Sequence, residues 1–502
     1  MEPLQVKAPQ PMASSEPSKT LEATPVERLA PVPVDIWERM RAGLNLAASN
    51  HPKVMSEIQW YRKHPGYIER IQNRARPYIH FIMDELEKRQ MPTEIALLPA
   101  VESAFQPFAY SPGRAAGLWQ FIPSTGRVFG LKQNWWYDGR RDVVTSTRAA
   151  LDYLQRLNKR FDGDWELALA AYNAGGGTVS RAMRKNRQKG KPTDFWSLKL
   201  PRETRAYVPR LLAISQIFAN PEAYDITLQS IPNEPFFETI DIESQLDLAL
   251  AAEMSDLSIQ QLYQLNSGFN RWATDPDGPH QLHLPLDKVE GFLEKLAQLP
   301  DERRLRWKRY QIKSGDNLSQ IARNHGTTTQ LLKRINKLHS SKIRAGKHLL
   351  IPVSTKRLDH YALSADQRKN QIQNRPRNGV KQHYIVKKGD SLWNIAQAHQ
   401  ISHKQLAKWN GFAPGDPIRP GQKLVIWIKK PATPILSALD IQPADIQSSV
   451  SYKVRQGDSL SRIAQRFSVS VTELKKWNSL PGKYLQPGQR IKLYVDVTEQ
   501  TL

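Results

Sequence analysis

A single glutamate, Glu102, is the residue of this 502-residue chain with the clearest potential for acid–base chemistry. It follows the apolar stretch Leu98-Pro-Ala-Val and precedes Phe105 and Phe108. Apolar neighbours make a carboxylate costly to ionise and so raise its pKa. A carboxyl group that is neutral near pH 7 can protonate a glycosidic oxygen. The pattern also fits a glutamate at a helix end that points to water, so Glu102 alone leaves both interpretations open.

Side chains suited to a sugar follow Glu102 along the chain. Gln120 and Asn173 can each donate and accept hydrogen bonds, as sugar hydroxyl and acetamido groups require. The glycines at 175–177 allow a ligand to approach the backbone closely. Four aromatic residues could stack on sugar faces or pack in a core, and for the adjacent tryptophans we favour the core: Trp119, Trp135, Trp136 and Tyr137.

A second catalytic carboxylate is not evident from the sequence. Asp138 and Asp142 lie in Trp-Tyr-Asp-Gly-Arg-Arg-Asp, where Arg140 and Arg141 indicate structural ion pairs instead. A glycosidase that uses water normally needs two carboxyl groups. One acid suffices where the attacking group belongs to the substrate.

The segment that carries these residues is predicted to be helical. Apolar residues recur at spacings of three and four from Asp35 onward, which is typical of amphipathic helices. Further helices are predicted over 118–129, 145–160, 164–173 and 203–219. The segment 34–225 is long enough for one core, and the Pro- and Ser-rich residues 1–33 before it are predicted to form a flexible tether.

Three stretches near the C-terminus repeat one pattern, which marks separate small modules. Each begins with a Tyr-x-Ile/Val strand, turns at Gly-Asp and continues into Leu-x-x-Ile-Ala. An Asn follows 21 residues after each Gly. The pattern predicts strand, helix, helix, strand over 309–353, 383–428 and 451–495, with the turn aspartate able to cap the first helix. We expect flexible joins at 353–383 and 428–451, so that the modules resemble beads on a string.

The segment 226–300 is predicted to be a connecting unit and a degenerate fourth copy. Aligning Asn266 with Asn410 places Leu248, Leu257 and Leu262 under apolar residues of the second repeat, although Gln245 replaces the Gly.

Composition excludes several classes of protein. The absence of cysteine excludes disulfides, thiolate metal sites and a cysteine nucleophile. No His-Glu-x-x-His motif indicates a zinc enzyme. The three repeats hold +18 of the net charge of +24, but their basic residues are scattered and accompany no nucleic-acid-reading motif, so we favour a soluble basic surface over a nucleic-acid partner. No apolar run is long enough to span a membrane.

Two sets of motifs resemble known families. The repeats resemble the LysM module, a βααβ unit that binds glycans containing N-acetylglucosamine. Glu102-Ser103, Gly-Leu-Trp-Gln120, Ala-Tyr-Asn173-Ala-Gly and Ala-Tyr207-Val, in this order, resemble the lytic transglycosylases with the lysozyme-like fold. Together the resemblances imply an α+β multidomain protein, in which an α-rich lysozyme-like domain precedes small βααβ modules.

These resemblances imply a function and a set of residues. The expected reaction is non-hydrolytic cleavage of the bond between N-acetylmuramic acid and N-acetylglucosamine in peptidoglycan, giving 1,6-anhydro ends without a cofactor. Glu102 would be the acid, and Ser103, Gln120, Asn173 and Tyr207 would position the sugar. The LysM resemblance implies glycan contacts from three groups of residues: Asp316, Asn317 and Leu318; Asp390, Ser391 and Leu392; and Asp458, Ser459 and Leu460.

Two alternatives remain open at this stage. One is a hydrolase of goose-type lysozyme character on the same fold, and the other is a non-catalytic peptidoglycan-binding scaffold, which the intact motifs argue against. The resemblance implies a periplasmic protein. Relatives with C-terminal repeats are commonly anchored to the outer membrane through an N-terminal cysteine that this chain lacks. Either a lipid anchor lies outside this sequence or there is none.

Overall fold

A computed structural model of the protein describes residues 34–428 and 448–495, except 468, 479 and 481–484. The tether predicted over 1–33 and most of the join predicted over 428–451 therefore lie outside the described residues. The N-terminal unit is helical. Its helices are α1 (Ile36–Ala42), α2 (Pro52–Lys63), α3 (Pro65–Ala75), α4 (Ile79–Glu87), α5 (Leu98–Ser103), α6 (Pro123–Val128), α7 (Val143–Arg160), α8 (Trp165–Ala174), α9 (Gly176–Arg187) and α10 (Thr204–Ala219).

Helix α10 forms the centre of this unit. It packs against α2 and α8, and eleven of its sixteen residues are buried. Two aspartates begin neighbouring helices, because their side chains accept hydrogen bonds from backbone N–H groups that have no helical partner. Asp142 accepts from Thr145 N at 2.8 Å to begin α7, and Asp164 accepts from Leu167 N at 2.9 Å to begin α8.

Four units of the same topology follow. The first comprises β1 (Phe237–Asp241), α11 (Leu248–Met254), α12 (Ile259–Leu265) and β2 (Gln281–Pro285), with α13 (Leu286–Ala297) after it. In each unit the two strands pair in antiparallel register around two short helices. The first repeat comprises β3 (Arg306–Gln311), α14 (Leu318–Asn324), α15 (Thr329–Ile335) and β4 (His348–Val353), and α16 (Ala365–Asn374) follows it. The second repeat comprises β5 (Val380–Ile385), α17 (Leu392–Ala398), α18 (His403–Trp409) and β6 (Lys423–Ile428). The third repeat comprises β7 (Ser448–Lys453), α19 (Leu460–Arg466), α20 (Val471–Asn478) and β8 (Arg490–Val495).

The asparagine at a fixed offset in each repeat ties the second helix to the last strand. Asn410 donates to Leu406 O and Val425 O, both at 2.8 Å, and accepts from Val425 N at 2.7 Å. Asn336 and Asn478 make the equivalent three bonds in the other repeats. Asn266 makes them too, with Leu262 and His283, which supports the alignment of 226–300 with the repeats.

The predicted role of the turn aspartates as helix caps is wrong. In the first repeat Asp316 accepts from Tyr310 Oη and from Lys313 N, both at 2.8 Å, and so closes the turn onto the strand. Asp390 and Asp458 do the same in the other repeats. The residue after each aspartate begins the helix instead, as its side chain accepts from a backbone N–H three residues on: Asn317, Ser391 and Ser459.

The beads-on-a-string arrangement is also wrong for the first join. Residues 353–383 contain α16, and the first repeat packs on the preceding unit. Trp272 Nε1 donates to Gly326 O at 2.8 Å. Tyr361, fully buried after the first repeat, donates to Asp247 at the start of α11. A core that Trp136 and Trp272 share with residues of the first repeat joins these units to the N-terminal helical unit.

Candidate active site

Glu102 lies in the last turn of α5, where the chain reverses. Ala104 and Phe105 follow it with φ angles of 49° and 54°, a left-handed conformation that few residues adopt. Phe105 is fully buried, and its packing holds the reversal in place. As a result Glu102 ends a short helix beside an open cleft.

The cleft has a volume of about 560 Å³, a size that suits a sugar. Glu102 lines one wall, and Gln120, Asn173 and Tyr207 line others. Four segments distant in sequence therefore meet here: the end of α5, the turn before α6, the end of α8 and the first turns of α10. Ser103 is not part of the lining.

The environment of Glu102 raises its pKa to about 7. Burial is the largest cause, because it disfavours the charged carboxylate. Tyr207 Oη donates to Glu102 Oε1 at 2.5 Å and opposes the rise. The negative charge of Glu203 adds to the rise. Near neutral pH the group is thus divided between acid and carboxylate.

The other predicted residues have definite partners. Gln120 has a φ of 49° and donates from Nε2 to Gly117 O at 2.8 Å. Asn173 accepts from Thr204 Oγ1 at 2.8 Å, which links α8 to the start of α10. Ser103 Oγ lies within donating distance of Leu118 O (2.9 Å) and Pro99 O (3.2 Å). The Ser103 hydroxyl therefore holds the loop before Gln120 against α5.

The aromatic candidates are core residues. Trp119 is fully buried and donates from Nε1 to Thr147 Oγ1 at 2.9 Å. Trp136 and Tyr137 are also buried, and the guanidinium of Arg271 lies 4.0 Å from the ring centre of Trp135. These contacts give no support for stacking of the four aromatic rings on sugar faces. They agree with the prediction that Trp135 and Trp136 pack in a core.

Asp138 and Asp142 are structural, as their arginine-rich sequence predicted. Arg140 pairs with Asp138 at 2.8 Å, and Arg141 lies 3.4 Å from it. Asp142 lies 3.2 Å from His283 Nε2. Arg140 and Arg141 lower the pKa of Asp138, and His283 lowers that of Asp142, in both cases against the effect of burial.

The sequence analysis missed four residues of the cleft. Glu203, at the N-cap of α10, and Arg210, on α10, are exposed residues of the lining. Tyr172 and Tyr153 also line the cleft. Tyr172 Oη donates to Trp119 O at 2.8 Å. The spacing of four residues from Glu203 to Tyr207, one helical turn, was the available signal.

The residues predicted to bind glycan in the repeats divide into three kinds. The three leucines are buried at the start of a helix. The three aspartates close their turns, and the pKa of each is lowered by hydrogen bonds from the backbone and from a tyrosine. The cap residues Asn317, Ser391 and Ser459 lie between them. In the second repeat Trp393 follows and is 58% exposed.

Within residues 34–428 and the described part of 448–495, no group of three histidine or acidic side chains could hold a metal ion. No helix in the same residues is both long and apolar enough to cross a membrane.

The fold and the site define a carbohydrate-cleaving enzyme with glycan-binding modules. Family models agree with this class: the transglycosylase SLT domain matches residues 80–195, and the LysM domain matches 310–352, 384–427 and 452–493. The LysM-like domain of lytic transglycosylase MltD matches 236–301. The membrane-bound lytic murein transglycosylase D of Escherichia coli K12 is 38% identical over 79% of this chain and 86% of its own. The chain belongs to that family of lytic murein transglycosylases.

Other relatives share parts of the chain. A putative tributyltin chloride resistance protein of an Alteromonas species is 43% identical over 29% of this chain and 66% of its own length. An inactive mutant of the lytic transglycosylase Slt from Pseudomonas aeruginosa, of known structure, is 28% identical over 30% of this chain and 25% of that one, with a TM-score of 0.24.

Proposed function

We propose that Glu102 serves first as acid and then as base when this lytic transglycosylase cleaves peptidoglycan. Its proton passes to the N-acetylglucosamine oxygen as the bond from that oxygen to C1 of N-acetylmuramic acid breaks. The resulting carboxylate takes the proton of the muramyl 6-hydroxyl, whose oxygen bonds to C1. Glu102 ends protonated, and no water is consumed. A pKa of about 7 supports both roles at neutral pH.

The substrate supplies its own nucleophile in this reaction. A well-oriented intramolecular group acts with an effective molarity on the order of 10⁵ M or more. The enzyme must therefore hold the muramyl ring in the reactive shape, and the 2-acetamido group of the substrate would stabilise the developing charge at C1.

Gln120 and Asn173 are the proposed contacts to the sugar. Both line the cleft. Thr204 occupies the oxygen of Asn173, so Asn173 would offer its amide N–H groups to a hydroxyl or acetamido oxygen. Tyr207 would tune the acid and contact the same ring. Ser103 would act on the sugar through the loop that it ties to α5.

The repeats are proposed to bind glycan beside the turns that carry Asp316, Asp390 and Asp458. The cap residues at the next position would make polar contacts, and the buried leucines after them would shape the groove. Trp393, exposed in the second repeat, could stack on a sugar face. Several weak sites on one chain raise affinity for a polymer through multivalency.

A hydrolase remains the second candidate, because one observation favours it. Glu203 gives the cleft another carboxylate, and water-using glycosidases employ a pair. The E. coli relative is named a membrane-bound lytic murein transglycosylase, which supports the anhydro route. By the same likeness we propose that this protein works in the periplasm at a membrane.

Product masses from purified sacculi test the proposal. Wild-type enzyme should release muropeptides that lack the mass of one water relative to hydrolysed ones. Glu102→Gln, which keeps the shape and cannot donate an acidic proton, should lower the rate by about a thousandfold. Glu222→Gln, at an exposed site outside the cleft lining, is the matched control. Water-containing products would establish hydrolysis, and a Glu102→Gln enzyme with near wild-type turnover would exclude Glu102 as the acid.

A further inference from the structure

The second repeat packs against the catalytic unit through α16. Ala365 N, at the start of α16, donates to Asn270 O at 2.8 Å. The guanidinium of Arg368 lies 4.6 Å from the ring centre of Phe108, which belongs to the catalytic unit. Near the other end of α16, Gln373 donates to Asn410 Oδ1 at 2.8 Å. The helix therefore fixes the second repeat next to the loop that follows Phe108.

Asp416 of the second repeat contacts that loop directly. Its two carboxylate oxygens lie 3.0 and 2.9 Å from Tyr110 Oη. Arg114 Nε lies 2.7 Å from Asp416 Oδ1. Ala413 N donates to Asp416 Oδ2 at 2.8 Å, which holds the carboxylate within its own loop. The side chain of Asp416 is 17% exposed and that of Arg114 is 43% exposed, so water shields this ion pair only in part.

The loop held by Asp416 is the rim of the cleft. Ser111, Gly113 and Ala115 lie between or beside the two contacted residues and line the cleft that contains Glu102. On the catalytic side, Arg140 Nη1 donates to Arg114 O at 2.7 Å. The rim is thus held from beneath by the catalytic unit and from outside by the second repeat.

Only the second repeat has an acid at this position. The glycine before the last strand of each repeat aligns the three repeats: Gly346, Gly421 and Gly488. In this alignment Asp416 corresponds to Ser341 in the first repeat and to Lys483 in the third. Neither a serine nor a lysine could form an ion pair with an arginine. By sequence the three repeats are therefore not interchangeable, since among them only the second has an acidic residue at this position.

We propose that Asp416 is a positioning residue for the cleft and that the second LysM repeat forms part of the substrate-binding wall. It holds the 110–114 rim in the position that a glycan strand requires. The proposal rests on the cleft around Glu102 being the place of cleavage. The rim does not touch the Glu102 carboxyl, so loss of the contact should weaken substrate binding and leave the chemical step largely intact.

Steady-state kinetics of the full chain on soluble, uncross-linked glycan strands test this role. Asp416→Lys should raise KM by about five- to tenfold, with kcat within about twofold. Asp416→Asn, which keeps the shape, should raise KM by a smaller factor. Asp359→Lys, the same change of charge at an exposed site between the first repeat and α16, should leave both constants unchanged.

Exchanging the charges of Arg114 and Asp416 distinguishes a positioning role from a general loss of structure. Arg114→Asp alone should resemble Asp416→Lys, and the double variant Arg114→Asp with Asp416→Arg should restore KM to within about twofold of wild type. Effects that simply add in the double variant, or a wild-type KM for Asp416→Lys, would overturn the proposal. So would a parallel loss of sedimentation with insoluble sacculi, since that would make Asp416 a glycan ligand of the repeat. Failure of the wild-type enzyme to form anhydro products would instead reject the proposed function.

Discussion

Tyr207 Oη donates a hydrogen bond to Glu102 Oε1 at 2.5 Å, which joins the central helix α10 to the end of α5. The bond favours the charged carboxylate, whereas burial favours the neutral acid. Burial is the larger effect, and the pKa of Glu102 rises to about 7. The acid is therefore poised between its two protonation states by groups on different helices.

Removal of the Tyr207 hydroxyl should move the pH profile. In Tyr207→Phe the bond that stabilises the carboxylate is lost, so the pKa of Glu102 should rise further. The fall of kcat/KM on the alkaline side should then begin at a higher pH than in wild type, with a maximum lowered by about tenfold. Activity on soluble glycan from pH 5 to 9 measures both effects. Tyr224→Phe, outside the cleft, is the control, and an alkaline limb that does not move would contradict the assignment.

Glu203 should influence the acid through its charge. Its carboxylate raises the pKa of Glu102, so Glu203→Gln should lower that pKa and move the alkaline limb to lower pH. At pH 6 the variant should retain activity within about threefold of wild type, because Glu102 is still mostly protonated. Exposed Glu222→Gln provides the matched control. A loss of activity by a factor of about a thousand at every pH would instead identify Glu203 as the base of a hydrolase.

Much of the fold followed from local patterns, and the exceptions have physical causes. Helices α7, α8 and α10 lie within two residues of their predicted bounds, because apolar periodicity marks all three and capping aspartates mark the first two. Helix α9 was missed since its first residues, Gly176 and Gly177, favour a loop by propensity. The predicted helix over 118–129 shrank to α6, because Gln120 adopts a positive φ in the turn that faces the cleft.

The packing between units could not be predicted from one sequence. The polar composition of a segment such as 353–383 predicts a flexible join. The interface instead depends on single contacts between distant residues, such as Asp416 with Tyr110 and Arg114. Glu102 and Tyr207 were expected from motifs, whereas Glu203 lines the cleft because α10 packs against α5.

The buried asparagine of a repeat should carry a large share of its stability. Asn410 is fully buried and makes three hydrogen bonds to backbone groups. Asn410→Ala would leave those groups unpaired in the interior, at a cost of about 2–4 kcal/mol in the free energy of unfolding of the second repeat. Hydrogen exchange of amides in α17 and β6 measures that free energy. Asn374→Ala, on the exposed surface of α16, should change it by less than about 0.5 kcal/mol.

Glu102 should make the catalytic unit less stable as pH rises. The pKa of Glu102 is about 7 in the folded protein and near 4.5 in the unfolded chain. As pH rises, the carboxyl group therefore loses its proton at a lower pH in the unfolded state. The free energy of unfolding decreases between these two pH values. Glu102→Gln carries no such penalty. The free energy of unfolding of the variant should exceed that of wild type by less than about 1 kcal/mol at pH 5 and by roughly 3 kcal/mol at pH 8.5. Hydrogen exchange of α8 and α10 amides reports the free energy of unfolding at each pH. Glu222→Gln should show no pH-dependent difference, and an equal gain for Glu102→Gln at both pH values would mean that its carboxyl titrates normally.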